Sequence, residues 1–204
     1  MTIPEKKITG IILAAGKASR MGKTKQLLPF RGSTLLGRVM ENAAASDLHE
    51  LIAVLGHDAD RIMKSLDFSG MKTVINEEYS KGQSTSLIKG LEALSPSSAG
   101  ALFLLADQPL VTPDIINCLI KAFQTLETRL VIPFYQGRRG NPVMVARSLF
   151  PRLLSLSSDT GPRVIFDEYK DSILKVDVET DAVLVDVDTV QDYETLLSRF
   201  PEAL

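Results

Sequence analysis

The 204-residue sequence is poor in the residues that build disulfides, metal clusters and membrane spans. Its one cysteine, Cys118, excludes an internal disulfide, and its two histidines, His49 and His57, have no partner at metal-ligand spacing. No apolar run approaches the roughly 20 residues that cross a bilayer, and the polar start MTIPEKK lacks a signal-peptide core. The net charge of −2 gives no overall attraction to nucleic acid or anionic membranes. We therefore expect a cytoplasmic protein that binds neither.

The composition is that of a globular protein, with 45% hydrophobic and 24% charged residues. The length suits one domain, residues 1–204, that buries roughly 70% of the surface of its unfolded chain. Cys118 lies in an apolar helical pattern with Ile115, Ile116 and Leu119. We expect it to be buried and inert, because free cysteine is commonly a core residue.

Apolar runs of strand length alternate with segments of helical periodicity along most of the chain. The predicted strands are Ile8–Ala15, Leu51–Leu55, Lys72–Ile75, Ala101–Ala106, Leu130–Phe134, Pro142–Val145, Ile173–Val176 and Val183–Val187. The predicted helices are Leu35–Ala45, Ala59–Leu66, Ser84–Leu94, Pro113–Leu126, Arg147–Leu154, Pro162–Tyr169 and Val190–Arg199. This alternation predicts an α/β protein with a mainly parallel sheet covered by helices on both faces. Residues 136–141, QGRRGN, are typical of a hairpin turn and predict an antiparallel element.

The segment from Leu13 to Lys25, LAAGKASRMGKTK, has the chemistry of a triphosphate-binding loop. Its small residues expose backbone N–H groups that form an anion-binding nest, and its fixed cations neutralise phosphate oxygens. The small residues are Ala14, Ala15 and Gly16, and the cations are Lys17, Arg20, Lys23 and Lys25. Residues 17–31 contain five basic residues and no acidic one, although the whole chain is slightly acidic. A solvated basic loop is the alternative interpretation.

The same segment is close to a P-loop, G-x-x-x-x-G-K-[ST], without matching its spacing. Five residues separate Gly16 from Gly22, where a P-loop has four. A P-loop also needs a long helix that begins at its lysine, and Pro29 and Gly32 would break such a helix. A P-loop NTPase therefore stays a minor alternative.

Acidic residues follow two other apolar segments and could bind a divalent cation. In a parallel sheet ligands bind beyond the carboxyl ends of the strands, and Asp107 follows a predicted strand at this edge. Magnesium prefers one or two carboxylates together with water and substrate phosphates. Asp186 and Asp188 would face the same side if their strand continues, so one of them could complete the site. The alternatives are a turn cap for Asp107 and a solvated acidic face for the other two.

A polar loop at residues 76–86, NEEYSKGQSTS, precedes the third predicted helix. Gly82 is followed by the hydroxyls of Ser84 and Ser86 at the helix start. Helix N-terminal amides and hydroxyls can hold a phosphate or a base edge, but Ser84 could also serve only as a helix cap.

Two more loops carry groups that suit a substrate. The paired arginines of residues 138–141, RRGN, suit a phosphorylated acceptor, although an exposed hairpin would also carry them. Residues 157–163, SSDTGPR, could close over a substrate or cap a helix. His57 and Asp58 follow the second predicted strand, and the sequence assigns Asp58 no role.

Together these motifs resemble the MobA/MocA-like nucleotidyltransferases over nearly the whole chain. Within that family the chain looks most similar to the molybdenum cofactor cytidylyltransferases, including purine-catabolism relatives that serve xanthine dehydrogenase. The matching motifs are LAAG-x-x-x-RMG-x-x-K-x-LLP at 13–29, N-x-x-Y-x-x-G-x-x-x-SL at 76–87, L-x-DQP at 105–109, RRGNPV at 138–143, D-x-G-x-R at 159–163 and DVDT at 186–189. The chain departs from the family at Val190, where proline commonly follows the DxDT motif.

The resemblance implies a Rossmann-like three-layer α/β/α nucleotidyltransferase fold with a mostly parallel mixed sheet. It also implies transfer of CMP from CTP to the terminal phosphate of molybdopterin, with Mg²⁺ as cofactor. A transient contact with a molybdoenzyme such as xanthine dehydrogenase would follow. The alternatives are a sugar or polyol phosphate as acceptor, or a non-catalytic carrier or insertion chaperone for the finished cofactor.

The resemblance also assigns roles to individual residues. The implied catalytic residues are Arg20, Lys25 and Asp107, and the implied metal ligands are Asp107, Asp186 and Asp188. The implied nucleotide-binding residues are Leu13, Ala14, Ala15, Gly16, Gly22, Asn76, Gly82, Ser84 and Ser86. The implied acceptor-binding residues are Arg139, Gly140, Asn141 and Asp159.

Overall fold

A computed structural model of the chain describes residues 6–17, 21–156 and 165–200. The strands in these residues are β1 (Ile8–Ala14), β2 (Pro29–Phe30), β3 (Ser33–Thr34), β4 (Glu50–Leu55), β5 (Lys72–Ile75), β6 (Gly100–Leu105), β7 (Leu130–Tyr135), β8 (Arg138–Arg139), β9 (Val143–Ala146) and β10 (Ile173–Asp177). The α-helices are α1 (Leu35–Ala44), α2 (Ala59–Ser65), α3 (Gln83–Glu92), α4 (Pro113–Thr125), α5 (Phe150–Leu154), α6 (Ile165–Glu168) and α7 (Val190–Arg199).

The main sheet has the strand order β10–β7–β9–β6–β1–β4–β5, and β8 pairs with β7. Strand β9 runs antiparallel to both β6 and β7, whereas β6, β1, β4 and β5 pair in parallel. Strands β2 and β3 form a separate two-stranded hairpin. The predicted mostly parallel mixed sheet is confirmed.

Helices cover both faces because the central strands are apolar on both sides. In β1, Ile12 belongs to one buried cluster and Ile11 to the other, as expected when successive side chains of a strand point to opposite faces. Helices α1, α4 and α7 contribute to the first cluster, and α3, α5 and α6 contribute to the second. The result is a three-layer α/β/α fold, in which the carboxyl ends of the parallel strands share one edge.

The predicted hairpin turn at residues 136–141 is confirmed. Gln136 and Gly137 have φ angles of 49° and 76° between β7 and β8. Positive φ at both central residues defines a type I′ turn, whose twist suits a two-residue hairpin.

The predicted strand Val183–Val187 is wrong. Residues Asp181–Leu184 form a short 3-10 helix that begins at Thr180, whose hydroxyl accepts a hydrogen bond from the backbone N–H of Ala182. The carbonyl of Val183 accepts a hydrogen bond from the backbone N–H of Asn141, a single contact that does not form a strand ladder. The apolar run at this position therefore reflects burial of Ala182 and Val183 in a turn.

The prediction that Cys118 is buried is also wrong, because its side chain is exposed. Helix α4 turns a face containing Ile115, Ile116 and Leu119 into the core, and Cys118 lies outside that stripe. The predicted helix Pro162–Tyr169 is described only from residue 165, where α6 begins.

Within the described part of the chain, no helix combines the length and the apolar character that a bilayer crossing requires.

Candidate active site

A lysine from the N-terminal loop meets carboxylates from the middle and the end of the chain. The Lys25 Nζ donates hydrogen bonds to Asp107 Oδ2 at 2.6 Å and to Asp188 Oδ1 at 2.9 Å. The side chains of Lys25 and Asp107 are only 14% and 17% exposed, so water screens this pair weakly. Two further predicted site residues, Arg20 and Asp159, lie outside the described residues.

The fold brings these carboxylates together through backbone contacts. Asp107 lies two residues beyond the end of β6, and its carbonyl accepts a hydrogen bond from the N–H of Val187 at 3.1 Å. Asp188 follows Val187 in the chain and immediately precedes Thr189, the N-cap of α7. Asp192 Oδ2 accepts bonds from the N–H groups of both Asp188 and Thr189 at 3.1 and 2.7 Å. This capping box fixes the backbone from which the Asp188 carboxylate extends.

The cluster carries an excess of negative charge. Burial lowers the pKa of Lys25, but Asp107 and Asp188 outweigh that effect, and the net shift is upward. Lys25 therefore stays protonated. Partial desolvation and then the charges of Asp107 and Asp188 raise the pKa of the nearby Asp186 carboxyl, with Lys25 offsetting part of the effect. Among the described residues, the ammonium group of Lys25 thus balances three carboxyl groups incompletely.

Asp107 carries a carboxylate oxygen that could accept a cation. In the described part of the chain its Oδ1 atom is buried without a hydrogen-bond partner, while its Oδ2 atom contacts Lys25. A buried, unpartnered carboxylate oxygen is costly unless a cation or a donor completes it. In the described residues no three Asp, Glu, His or Cys side chains are grouped to hold a metal ion. Two carboxylates are enough for magnesium when phosphates supply the remaining ligands, so the donor set fits.

Asp188 suits this role better than Asp186. The expectation that both would face one side depended on a continuous strand, which the structure does not contain. Asp188 shares Lys25 with Asp107, whereas Asp186 makes no ion pair with Lys25 in the described part of the chain.

The lysine occupies carboxylate oxygens that a divalent cation would need. Lys25→Met is therefore expected to bind Mn²⁺ at least about tenfold more tightly than the wild type in the absence of nucleotide, because a competing charge within a few ångströms is removed. Electron paramagnetic resonance of free Mn²⁺ measures the affinity. Lys23→Met, at an exposed lysine of the same loop, should change it little. Equal or weaker Mn²⁺ binding by Lys25→Met would contradict this competition.

Gln26, to which the sequence motifs assign no role, supports the predicted triphosphate-binding loop at residues 13–25, called the triphosphate loop below. Gln26 is buried, and its Nε2 donates to the carbonyls of Ala14 at 3.1 Å and Gly16 at 3.0 Å. These bonds engage carbonyl oxygens that would otherwise repel a phosphate. The only local signal was a polar residue inside the run KQLL. Gly16 itself is exposed, as an anion-binding loop requires.

The P-loop alternative is wrong. Lys23 and Thr24 are followed by a three-residue 3-10 helix, Lys25–Leu27, and not by the long helix that a P-loop needs. The next α-helix begins at Leu35, after the β2–β3 hairpin. Gly22, with φ of 62°, is exposed in the preceding turn.

Asn76 links the two ends of the loop at residues 76–86 through hydrogen bonds of its side chain. Its side chain is fully buried, and its Nδ2 donates to Thr85 Oγ1 and Ser86 Oγ, both at 2.9 Å. Its Oδ1 accepts from the N–H of Glu78 at 3.0 Å. The hydrogen bonds of Asn76 and Ser86 therefore fix the conformation of the loop. Gly82, with φ of 120°, is the N-cap residue of α3.

The segment with the paired arginines packs against the segment that leads to Asp188. Gly140 is buried, and a Cβ atom there would lie 2.5 Å from the carbonyl oxygen of Val183, which explains the glycine. The N–H of Asn141 donates to the same oxygen at 2.9 Å. The Arg139 guanidinium lies 4.4 Å from the centre of the Phe166 ring. These contacts place residues 139–141 at the sheet edge that carries Asp107.

Comparisons with known proteins show the family of the chain. The model of the MobA-like NTP transferase domain matches residues 10–173. A protein named nicotine blue oxidoreductase from Paenarthrobacter nicotinovorans is 29% identical over 93% of this chain and 96% of its own length. The molybdenum cofactor cytidylyltransferase of Escherichia coli K12 is 27% identical over 94% of this chain and 96% of its own. The purine catabolism protein PucB of Bacillus subtilis is 26% identical over 92% and 94%.

A solved structure extends the similarity to three dimensions. Rv0371c from Mycobacterium tuberculosis H37Rv superposes with a TM-score of 0.87 at 30% identity, over 95% of this chain and 99% of that one. A second structure of that protein is a complex with manganese. The family match covers most of the chain, begins within β1, and includes the triphosphate loop, Asp107 and residues 139–141, but it ends before Asp188. The chain therefore belongs to the MobA-like NTP transferase family and is a nucleotidyltransferase.

Proposed function

We propose that this enzyme transfers CMP from CTP to the terminal phosphate of molybdopterin and releases pyrophosphate. The observation that carries the proposal is the contact of Lys25 with Asp107 and Asp188, which places a cation and two carboxylates at one edge of the sheet. The molybdenum cofactor cytidylyltransferase of Escherichia coli, similar over nearly its whole length, supports CTP and molybdopterin as substrates. Transfer of the product to a molybdoenzyme such as xanthine dehydrogenase is part of the same proposal.

The reaction is an in-line displacement at the α-phosphorus of CTP. An oxygen of the acceptor phosphate forms a bond to that phosphorus, and the bond to the bridging oxygen of the β-phosphate breaks with release of pyrophosphate. The Lys25 ammonium would neutralise charge on the departing pyrophosphate, together with Arg20. The N–H groups of residues 14–16 would hold the triphosphate, with Leu13 and Gly22 at the two ends of the loop.

Asp107 and Asp188 are the residues that would hold Mg²⁺. When bound, the ion neutralises phosphate charge and orients the reacting groups. Its fit to this site rests on the unpartnered Oδ1 of Asp107. The manganese complex of the Mycobacterium tuberculosis relative is consistent with a divalent ion in this family.

The two substrates would lie on opposite sides of Lys25. The loop at residues 76–86 would line the cytosine, with Gly82 nearest to it and the buried Asn76, Ser84 and Ser86 supporting the loop from inside. Arg139 and Asn141 would contact the phosphate of the acceptor, where a guanidinium group makes bidentate bonds. Gly140 and Asp159 complete the proposed acceptor side.

A thermal-unfolding panel of CTP, GTP, UTP and ATP with Mg²⁺ tests the nucleotide. CTP at about 100 times its Kd is expected to stabilise the protein by about 2.7 kcal/mol, which raises Tm by about 5–10 °C. The other nucleotides and CTP without metal should raise Tm less. A preference for GTP would indicate guanylyl transfer, and no response to any nucleotide would favour a non-catalytic carrier.

The acceptor is tested by pyrophosphate release from CTP. Molybdopterin should support release, whereas sugar and polyol phosphates should not. Equal or faster release with a sugar phosphate would reject molybdopterin as the acceptor while leaving cytidylyl transfer intact.

A further inference from the structure

Two short helices near the triphosphate loop begin without their usual side-chain caps. Asp58 precedes α2 at the N-cap position, yet its carboxylate makes no hydrogen bond to the N–H groups of that helix. Thr24 precedes the 3-10 helix Lys25–Leu27, and its hydroxyl caps nothing there either. Aspartate and threonine are both preferred N-caps because their oxygens satisfy free N–H groups. Both residues therefore forgo a local bond that their type favours.

The two residues bond to each other instead. Thr24 Oγ1 donates to Asp58 Oδ2, and Thr24 is only 7% exposed. Arg61 Nη1 lies 3.4 Å from the same hydroxyl, and His57 Nε2 lies 3.7 Å from Asp58 Oδ1. The bond thus joins the loop after β4 to the turn that carries Lys25, which are 34 residues apart in the chain.

Asp58 also adopts a left-handed backbone conformation, with φ of 56°. Side chains other than glycine take this conformation at an energetic cost, and they keep it only where the surroundings impose it, commonly at functional sites. Here the adjacent N–H of His57 donates to the carbonyl of Ala15 at 3.1 Å, so the loop is held against the triphosphate loop. The strained backbone directs the Asp58 carboxylate toward Thr24 and away from α2.

We propose that Asp58 is a positioning residue for nucleotidyl transfer. Its bond to Thr24 fixes the residue before Lys25. The residue after Lys25, Gln26, is fixed by its bonds to the carbonyls of Ala14 and Gly16. Lys25 lies between Thr24 and Gln26 in the chain, so these contacts restrain the backbone that carries it, and its Nζ lies 2.6 Å from Asp107 Oδ2. This inference rests on the proposed nucleotidyl transfer, because Lys25 is the group through which Asp58 acts.

A double-mutant cycle tests whether Asp58 acts through Thr24. Asp58→Gly removes the carboxylate and leaves a residue that tolerates positive φ, and Thr24→Val removes the hydroxyl at nearly constant shape. Each is expected to lower kcat about tenfold with KM for CTP within about twofold, since a single bond to a charged group is lost. The double variant should also lose about tenfold, because both substitutions break the same bond. Thr24→Ser, which keeps the hydroxyl, should restore most of the rate.

A second cycle tests whether the effect passes through Lys25. In the Lys25→Met background, Asp58→Gly should change kcat less than about twofold, because the positioned group is already absent. Asp60→Asn, at an exposed acid of α2 that has no bond to Thr24, is the matched control and should keep the wild-type rate.

The outcomes separate the inference from the proposed function. A wild-type protein that releases no pyrophosphate from any nucleotide would overturn the proposed function. An active wild type with a hundredfold loss in the Asp58→Gly, Thr24→Val double variant would show that the two residues act independently and would overturn the inference. If both single variants had normal kcat and only a lower Tm, the bond between Asp58 and Thr24 would have a structural role alone. That result would also overturn the inference.

Discussion

Asp107→Asn is expected to lower the rate of CTP-dependent pyrophosphate release about a thousandfold or more. The substitution keeps the shape of the side chain but replaces an anionic oxygen by an amide, so the site loses its most buried cation ligand. Loss of a metal ion that neutralises phosphate charge removes several kcal/mol of transition-state stabilisation, and each 1.36 kcal/mol is a tenfold change in rate. A coupled assay for pyrophosphate at saturating Mg²⁺ and CTP measures this loss.

The folded state should survive Asp107→Asn. Among the residues that the structure describes, the Oδ1 atom of Asp107 has no partner, and Lys25 keeps its contact with Asp188. We expect a thermal transition close to that of the wild type, together with weaker Mn²⁺ binding. Asp47→Asn, at an exposed acid just before β4, is the matched control and should retain full activity. Wild-type turnover in Asp107→Asn would reject the metal role of this residue.

Lys25→Met is expected to lower kcat for pyrophosphate release by about 100- to 1000-fold. Lys25 supplies a fixed, mostly buried ammonium, and one preorganised group of this kind is worth that much when charge develops on a leaving group. Methionine preserves the apolar stem of the side chain and removes only the charge. Steady-state kinetics with varied CTP measures kcat and KM separately.

The same variant distinguishes catalysis from simple binding. If Lys25 acted only by attracting the triphosphate, KM for CTP would rise and kcat would stay constant. Lys121→Met, at an exposed lysine of α4, should leave both constants unchanged. A variant at Lys25 with wild-type kcat would remove this residue from the catalytic group.

Most of the fold could be predicted from local patterns, because strands and helices depend on residues that are close in the sequence. Strands β1, β4 and β6 are buried on both faces, and this burial produces the continuous apolar runs by which the sequence predicts them. The hairpin at Gln136 and Gly137 was likewise predicted locally, because a short polar segment that contains glycine between two apolar runs is typical of a hairpin. The position of Asp107 after β6 follows from the parallel sheet, whose strands end at one edge.

Local patterns gave a wrong prediction where an apolar run had a cause other than a strand or a core-facing helix stripe. The apolar residues near Val183 pack against Gly140 in a turn, so the apolar run that predicted a strand reflects burial of that turn. Cys118 follows an apolar stripe in α4 but lies outside it. In the first case a buried turn was taken for a strand, and in the second the direction in which the Cys118 side chain faces was wrong.

The sequence by itself determined the residue types of the candidate site, a basic loop after the first strand and acids after two later apolar segments, because these are read directly from the chain. The tertiary structure alone decided which groups meet. Lys25 contacts partners 82 and 163 residues away, and the second of them, Asp188, is held by the cap of α7 and by the backbone bond of Val187. Such pairings arise from packing of distant elements, and no local spacing encodes them.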